Sequence, residues 1–249
     1  MMHIGILGTG HIGKSLVKKL SAAGHKVKVA NSRSPESIDA DTLSTGAQAA
    51  DVDTALAGAD VVILSIPLAR LSALADKIAA LPKDTVIIDT SNYYPGRDGT
   101  IAEIEAGMVE SLWVVEQIGR TVVKAWNAIG SDSLARKGKV KGDPDRIAIP
   151  VAADSDADRA IGMALVDDTG FDGFDAGTLA TSWRQQPGAP GYCTDLKADE
   201  MGPALESAEK SRLPARRDLS VAVIMERVGN SKTNPDAEFG VRVSRAIFR

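Results

Sequence analysis

His3-Ile4-Gly5-Ile6-Leu7-Gly8-Thr9-Gly10-His11-Ile12-Gly13 is the stretch that decides the fold of this chain. Ile4, Ile6 and Leu7 form a short run of strand-forming apolar residues, and residues 14–23 continue with helical periodicity. Between them Gly8, Gly10 and Gly13 stand in Gly-x-Gly-x-x-Gly spacing. Gly8 permits the tight turn, Gly10 removes a Cβ so that a pyrophosphate can lie against the backbone, and Gly13 lets helix and strand pack closely. The helix N-terminus adds free N–H groups and a partial positive charge. Lys26–Ala30 alternates as a second strand, which completes strand, turn, helix and strand.

The tip of that second strand carries the discriminating residues. An NAD site places Asp or Glu there to bind the ribose 2′-hydroxyl, but this chain reads Asn31-Ser32-Arg33. A hydroxyl and a guanidinium accept a 2′-phosphate that a carboxylate would repel, and Arg can grip phosphate through two donors. NADP(H) is the expected dinucleotide. An S-adenosylmethionine methyltransferase is disfavoured for the same reason, since it would want an acid at position 31.

Farther along, Val61-Val62-Ile63-Leu64 and Val86-Ile87-Ile88-Asp89 are continuous β-rich runs of the kind a parallel strand needs when both faces are covered. Their ends, Ser65-Ile66-Pro67 and the loop containing Asn92, lie where open parallel sheets bind ligands. The periodicity predicts helices over 34–43, with Ser34 as N-cap, and over 68–81, 101–108, 111–118, 131–137 and 156–168. It predicts strands over 47–50, 121–127, 146–153 and 171–174, with Pro150 marking an edge or bulge. The fold class is α/β: a Rossmann-type, doubly wound, mostly parallel sheet with a helical C-terminal segment. The expected organisation is an NADP-binding domain over 1–177 and a loop and helical segment over 178–249 that closes the substrate pocket and builds a homodimer.

The totals set limits. The chain has 249 residues, 44% hydrophobic and 25% charged, with a formal charge of -4, which excludes a globally basic nucleic-acid binder. Aromatic content of 4% argues against a stacking platform for single strands. No apolar run is long enough to span a bilayer and no signal-peptide layout precedes the first strand, so the expected location is the cytoplasm, with a small-molecule partner. Cys193 is the only cysteine and His3, His11 and His25 the only histidines, so neither an internal disulfide nor a Cys-x-x-Cys metal site exists and no metal is expected.

Two common reductase schemes fail on inspection. Tyr93, Tyr94 and Tyr192 are followed four positions later by Arg97, Asp98 and Leu196, so Tyr-x-x-x-Lys is absent. Lys124-Ala125-Trp126-Asn127 lacks the Gly-x-x-x-Lys-x-x-x-Asn spacing of β-hydroxyacid dehydrogenases. No side chain is assigned as acid or base. That suits hydride transfer between planar rings, where proximity and orientation carry the work.

Across roughly residues 2–196 the chain resembles the NADPH-dependent coenzyme F420 reductases, or F420:NADP oxidoreductases. The resemblance rests on Gly8-Thr9-Gly10-His11-Ile12-Gly13, Asn31-Ser32-Arg33-Ser34-Pro35-Glu36, Ser65-Ile66-Pro67, Val123-Lys124-Ala125-Trp126-Asn127, residues 171–177, and Tyr192-Cys193-Thr194-Asp195-Leu196. It implies that Thr9, Ser32 and Arg33 hold the 2′-phosphate, that Ser65, Ile66 and Pro67 line the nicotinamide side, and that hydride passes between NADPH and the deazaflavin, coenzyme F420, as co-substrate. Asn127 stands where archaeal members carry a histidine, and the tail after about residue 201 is longer. The acceptor therefore stays open between F420 and another flavin-like or imine-like molecule, with a non-catalytic NADP-binding sensor as the reading from a different class. The substrate pocket is expected to draw on Asn127, Ile129, Trp183, Arg184 and Cys193. Cations for the acidic tail of F420 would come from Arg136, Lys137, Lys139 and Lys141 or from Arg184.

Overall fold

The structure, a computed structural model, describes residues 1–230 and 233–249. Six parallel strands make the main sheet: β1 (His3–Leu7), β2 (Lys26–Ala30), β3 (Gln48–Ala49), β4 (Val61–Leu64), β5 (Val86–Asp89) and β6 (Val123–Lys124). Their order is β3-β2-β1-β4-β5-β6, which reverses direction between β1 and β4 and opens a crevice at the carboxyl ends of those strands. Val61 and Ile63 of β4 pack on one face with Leu16, Val17 and Leu20, while Val62 and Leu64 pack on the other with Leu71 and Val114. Helices on both faces are what the continuous apolar runs require. This is the Rossmann-like α/β fold.

The helices between the strands are α1 (His11–Ala22), α2 (Ala40–Leu43), α3 (Val52–Leu56), α4 (Ala75–Ala79), α5 (Pro95–Asp98), α6 (Ala102–Glu105) and α7 (Glu110–Ile118). Two expected helices are broken. The stretch 34–43 forms a 3₁₀ turn at Pro35–Ser37, then an extended Ile38 that buries its side chain in the core, then α2; Ser34 caps nothing with its hydroxyl. The stretch 68–81 begins as a 3₁₀ helix, Leu68–Leu74, because leucines at 68, 71 and 74 recur every third residue, the period that aligns side chains in that geometry.

The expected strand over 121–127 is reduced to β6, since Trp126 takes a left-handed φ of 55° and turns the chain out of the sheet. After α8 (Ser131–Arg136), which is capped by Gly130 without a side-chain bond, β7 (Ala148–Val151) and β8 (Asp172–Asp175) flank α9 (Asp156–Asp168) and form a separate two-stranded parallel sheet. They do not extend the main one. A single antiparallel bridge, Lys124 to Ala152, joins the two sheets, and Pro150, without an N–H, sits in β7, which pairs along its length with β8 alone. The C-terminal part comprises a 3₁₀ stretch at Leu179–Gln185 and helices α10 (Ala198–Glu206), α11 (Leu213–Val228) and α12 (Ala237–Phe248). Among the described residues no helix is long and apolar enough to cross a membrane.

Candidate active site

The crevice between β1 and β4 is built by backbone. Gly8 has φ +115°, and a Cβ there would run into the Ser65 carbonyl, while Ser65 N–H donates to Leu7 O at 2.8 Å. Gly13 sits so close under the turn that a Cβ would strike the Gly8 carbonyl. Gly10 is different: a Cβ on it would meet nothing within 4 Å. The space in front of Gly10 is therefore open, directly at the N-terminus of α1, whose first turn carries no acid and no side-chain cap. Backbone N–H groups facing an open space at a helix start suit a diphosphate.

Beside this cradle lie the residues for the rest of a dinucleotide. Gly8 N–H donates to Ala30 O at 2.8 Å, which sets Thr9 next to the loop that leaves β2. Asn31 folds that loop, accepting from Arg33 N–H at 2.8 Å and donating to Ser37 Oγ at 2.9 Å. Asn31 is thereby a loop-builder, and Ser32 and Arg33 stand exposed. Among the described residues the Thr9 and Ser32 hydroxyls and the Arg33 guanidinium have no partner. His11 is exposed at the first helical position and Ile12 packs against the core below it. An open diphosphate cradle with a free hydroxyl, a second hydroxyl and a free guanidinium around it fits NADP(H) on the chemistry of its donors.

The tips of β4 and β5 continue the crevice. Ser65 and Ile66 are half-buried and Pro67 is exposed, and Asn92 follows β5. Asn92 Nδ2 donates to Asn127 O at 2.8 Å and Asn127 Nδ2 returns a bond to Asn92 Oδ1 at 3.1 Å. Asn127 also donates to Gln185 O at 2.8 Å and accepts from Gln185 Nε2 at 2.9 Å. Every polar atom of the Asn127 side chain is used, and the residue is 2% exposed. It latches the C-terminal part to the sheet, with no polar atom left over for an acceptor. On its other side Asn92 Nδ2 reaches Tyr192 Oη at 3.3 Å, and Tyr192 Oη lies 2.7 Å from Tyr94 Oη. Burial raises both phenols above the ordinary tyrosine value, so they stay protonated.

Beneath the tips runs a buried charged layer. Lys124, fully buried, donates to Asp89 Oδ2 at 2.6 Å and Ser91 O at 2.5 Å, while Asp89 Oδ1 accepts from Ser91 N–H at 2.9 Å. Glu110 is also buried and accepts from Tyr93 N–H at 3.0 Å; burial raises its carboxyl above the usual range. Glu110, Tyr93, Trp183, Gln186, Lys210 and Arg217 line a cavity of about 70 Å³.

Other expected pocket residues are placed differently. Ile129, 4% exposed, belongs to the main core. Arg184 stacks on Trp183 at 4.7 Å and donates to Leu205 O at 2.8 Å and Glu206 O at 3.2 Å, closing the end of α10 rather than offering a free cation. Cys193 packs with Tyr192 and Phe248 in a C-terminal cluster, and burial pushes its thiol up to about 12, which leaves it a poor nucleophile. Trp183 keeps its place beside a cavity. Trp126 is core, its indole N–H on Thr169 Oγ1 at 3.3 Å. The basic run is paired: Arg136 with Asp132 and Glu238, Lys137 with Asp195, Lys139 with Asp143, Lys141 with Asp167. Sequence reasoning missed Tyr94, Tyr192 and Gln185 as neighbours of Asn92; their only signal was a position close to the quoted motifs. No group of metal-binding side chains occurs among the described residues.

The family described as NADP oxidoreductase, coenzyme F420-dependent, matches residues 3–93. Protein YjhV of Escherichia coli (strain K12) is 40% identical over 96 residues, 39% of this chain and 69% of that protein. A hypothetical protein of Sinorhizobium meliloti, SMa0349, superposes with a TM-score of 0.68 at 27% identity, covering 79% of this chain and 96% of its own. A protein of Arthrobacter sp. FB24, provisionally named an F420-dependent NADP reductase, does so with a TM-score of 0.60 at 19% identity, covering 95% and 99%.

Proposed function

Since the chain belongs to the family of coenzyme F420-dependent NADP oxidoreductases, and is thereby an NADP-dependent oxidoreductase, we propose that it transfers hydride between NADPH and coenzyme F420. The observation that carries the dinucleotide half is the open space at Gly10, with the unpartnered side chain of Thr9 on the same turn and those of Ser32 and Arg33 on the loop that leaves the adjacent β2. Gly10, His11, Ile12 and Gly13 would hold the diphosphate through backbone N–H groups, and Ser65, Ile66, Pro67 and Asn92 would border the nicotinamide. When bound, NADPH supplies the hydride. The protein's part is orientation: the Asn92–Asn127–Gln185 bonds fix the strand tips. The family name supports F420 as acceptor, as does the provisional name of the Arthrobacter protein.

One observation favours the second reading, a smaller flavin-like or imine-like acceptor. The cations expected to receive the acidic tail of F420 are consumed in ion pairs or carbonyl contacts, which leaves Lys210 at the Trp183 cavity as the lining cation outside any ion pair among the described residues. Mixing the protein with NADPH and oxidised F420 and following the visible absorbance of the deazaflavin tests the first reading. Bleaching at catalytic protein concentration is expected; intact NADPH binding without bleaching would transfer the proposal to the second. We assign residues 178–249 to pocket closure and to a homodimer, since α11 leaves Leu219, Val221, Val223 and Met225 exposed; a monomer by sedimentation would remove the latter assignment.

A further inference from the structure

The last helix is tied to the chain at both ends. At its start, Ala237 N–H donates to Asp132 Oδ2 at 2.7 Å, Glu238 pairs with Arg136 at 2.9 Å, and Asn234 Nδ2 donates to Ser131 Oγ at 2.6 Å, which fixes α12 to α8. At its end, Arg245 donates to Thr194 O at 2.8 Å and Asp195 O at 3.1 Å. Phe248 is 1% exposed, its ring 6.4 Å from that of Tyr192 and inclined by 58°. Both contacts at this second end, from Arg245 and from Phe248, fall on one turn, residues 192–195.

That turn is strained. Cys193 and Asp195 hold φ of 52° and 49°, values that residues with a Cβ keep only when their surroundings over-determine them. The surroundings here are long-range. Cys193 N–H is bound to Ala128 O at 2.8 Å, Asp195 Oδ2 accepts from Ser133 at 2.7 Å and from Lys137 at 3.1 Å, and Arg245 holds the carbonyls of Thr194 and Asp195. What the turn presents inward is Tyr192, whose hydroxyl meets Tyr94 and Asn92 at the tip of β5.

We infer that α12 is a strap, and that Arg245 and Phe248 are positioning residues which act through Tyr192 to hold Asn92 in register beside Ser65, Ile66 and Pro67. The inference rests on the reading that the β5 tip borders the reacting nicotinamide. Neither residue touches the dinucleotide cradle, so its loss leaves NADPH binding intact while orientation at the acceptor side is relaxed.

Full-length Arg245→Ala and Phe248→Ala, with Phe248→Leu as the conservative variant, separate the possibilities through three measurements: NADPH affinity by fluorescence titration, kcat for F420 reduction, and amide hydrogen exchange. The expected result is a fall in kcat of roughly tenfold to a hundredfold, the scale of a small misplacement of reacting groups. NADPH affinity stays within about twofold of the parent, because the cradle at Gly10 and the guanidinium of Arg33 are untouched. Exchange quickens at residues 92–94 and 192–196 while β1 and α1 keep their protection, and Phe248→Leu recovers most of kcat. Unchanged kcat in both alanine variants overturns the strap, and so does exchange that quickens throughout the chain with NADPH affinity falling in step. If the parent itself fails to reduce F420, the proposed acceptor falls, and the exchange measurement decides the strap alone: unchanged exchange at 92–94 in both variants overturns it.

Discussion

Gly10→Ala isolates the cofactor cradle from the fold. The backbone of Gly10, φ -68° and ψ -177°, is open to alanine, and the new methyl would meet no atom within 4 Å. Two small effects oppose each other in stability. Alanine is a poorer N-cap than glycine, which costs about 1 kcal/mol, and it restricts the unfolded chain, which returns about 0.4–1 kcal/mol. The urea midpoint should hardly move. Binding should change sharply, because the methyl occupies the space through which a diphosphate would reach the first-turn amides. Hydrogen bonds to a charged group contribute about 1.5–3 kcal/mol each, so loss of one weakens NADPH by roughly 10- to 150-fold. Gly8→Ala is the contrasting variant: its φ of +115° and its collision with the Ser65 carbonyl strike the fold itself, at a cost of ~2 kcal/mol or more. Fluorescence titration with NADPH beside urea denaturation measures both. A Gly10→Ala protein as stable as the parent that binds NADPH within about twofold of it would refute the cradle.

Three further outcomes are expected. Arg33→Ala, which removes an exposed and unpartnered guanidinium, should weaken NADPH by about tenfold or more and leave NADH alone, with the parent's preference shrinking as salt rises; equal losses for both dinucleotides would deny Arg33 the 2′-phosphate. Lys124→Met leaves Asp89 buried without its partner and should cost about 3–5 kcal/mol in urea, most of which Asp89→Leu in the same chain recovers; strictly additive losses would show that the pair is not coupled. Glu110, raised by burial, holds its proton more tightly folded than unfolded, so its contribution to stability is complete below the ordinary glutamate value and is lost as pH rises through that value toward the raised one. Glu110→Gln, which keeps an oxygen to accept from Tyr93 N–H, should therefore flatten that part of the stability profile and match or exceed the parent at neutral pH; an unchanged slope would place the titration elsewhere.

The glycine turn was legible because its determinants are local. Gly8, Gly10 and Gly13 specify one turn within six residues, and the structure gives each the steric role its spacing predicts. Asn31 to Arg33 lie one strand away, fixed by the register of β1 on β2. The continuous runs of β4 and β5 likewise announce strands buried on both faces. Errors arose where packing overrode periodicity. Leucines at 68, 71 and 74 satisfied a three-residue period that reads as α-helix in sequence. Trp126 broke a β-rich run because its indole had a partner, Thr169, 43 residues away, and no local signal records such a bond.

The side of the crevice proposed for the acceptor depends on pairings of that second kind throughout. Asn92 meets Tyr192 across 100 residues and Asn127 meets Gln185 across 58, so the identities were visible while their meeting was not. The three non-glycine residues with positive φ among the described residues, Trp126, Cys193 and Asp195, stand on the two segments that meet there. Each costs on the order of 1–3 kcal/mol, which a chain cannot hold unless distant contacts outweigh it. Those contacts come from α8, from Thr169 at the C-terminal cap of α9, and from α12, none of which carries a motif of its own. A cradle specified by glycines can be carried unchanged from one chain to another, but a pocket wall specified by strained residues and their distant supports changes with any of them. It follows that acceptor choice in this family should vary with the C-terminal helices while the dinucleotide site stays fixed, and that the role of Asn127 is set by Gln185 more than by its own position in the sequence.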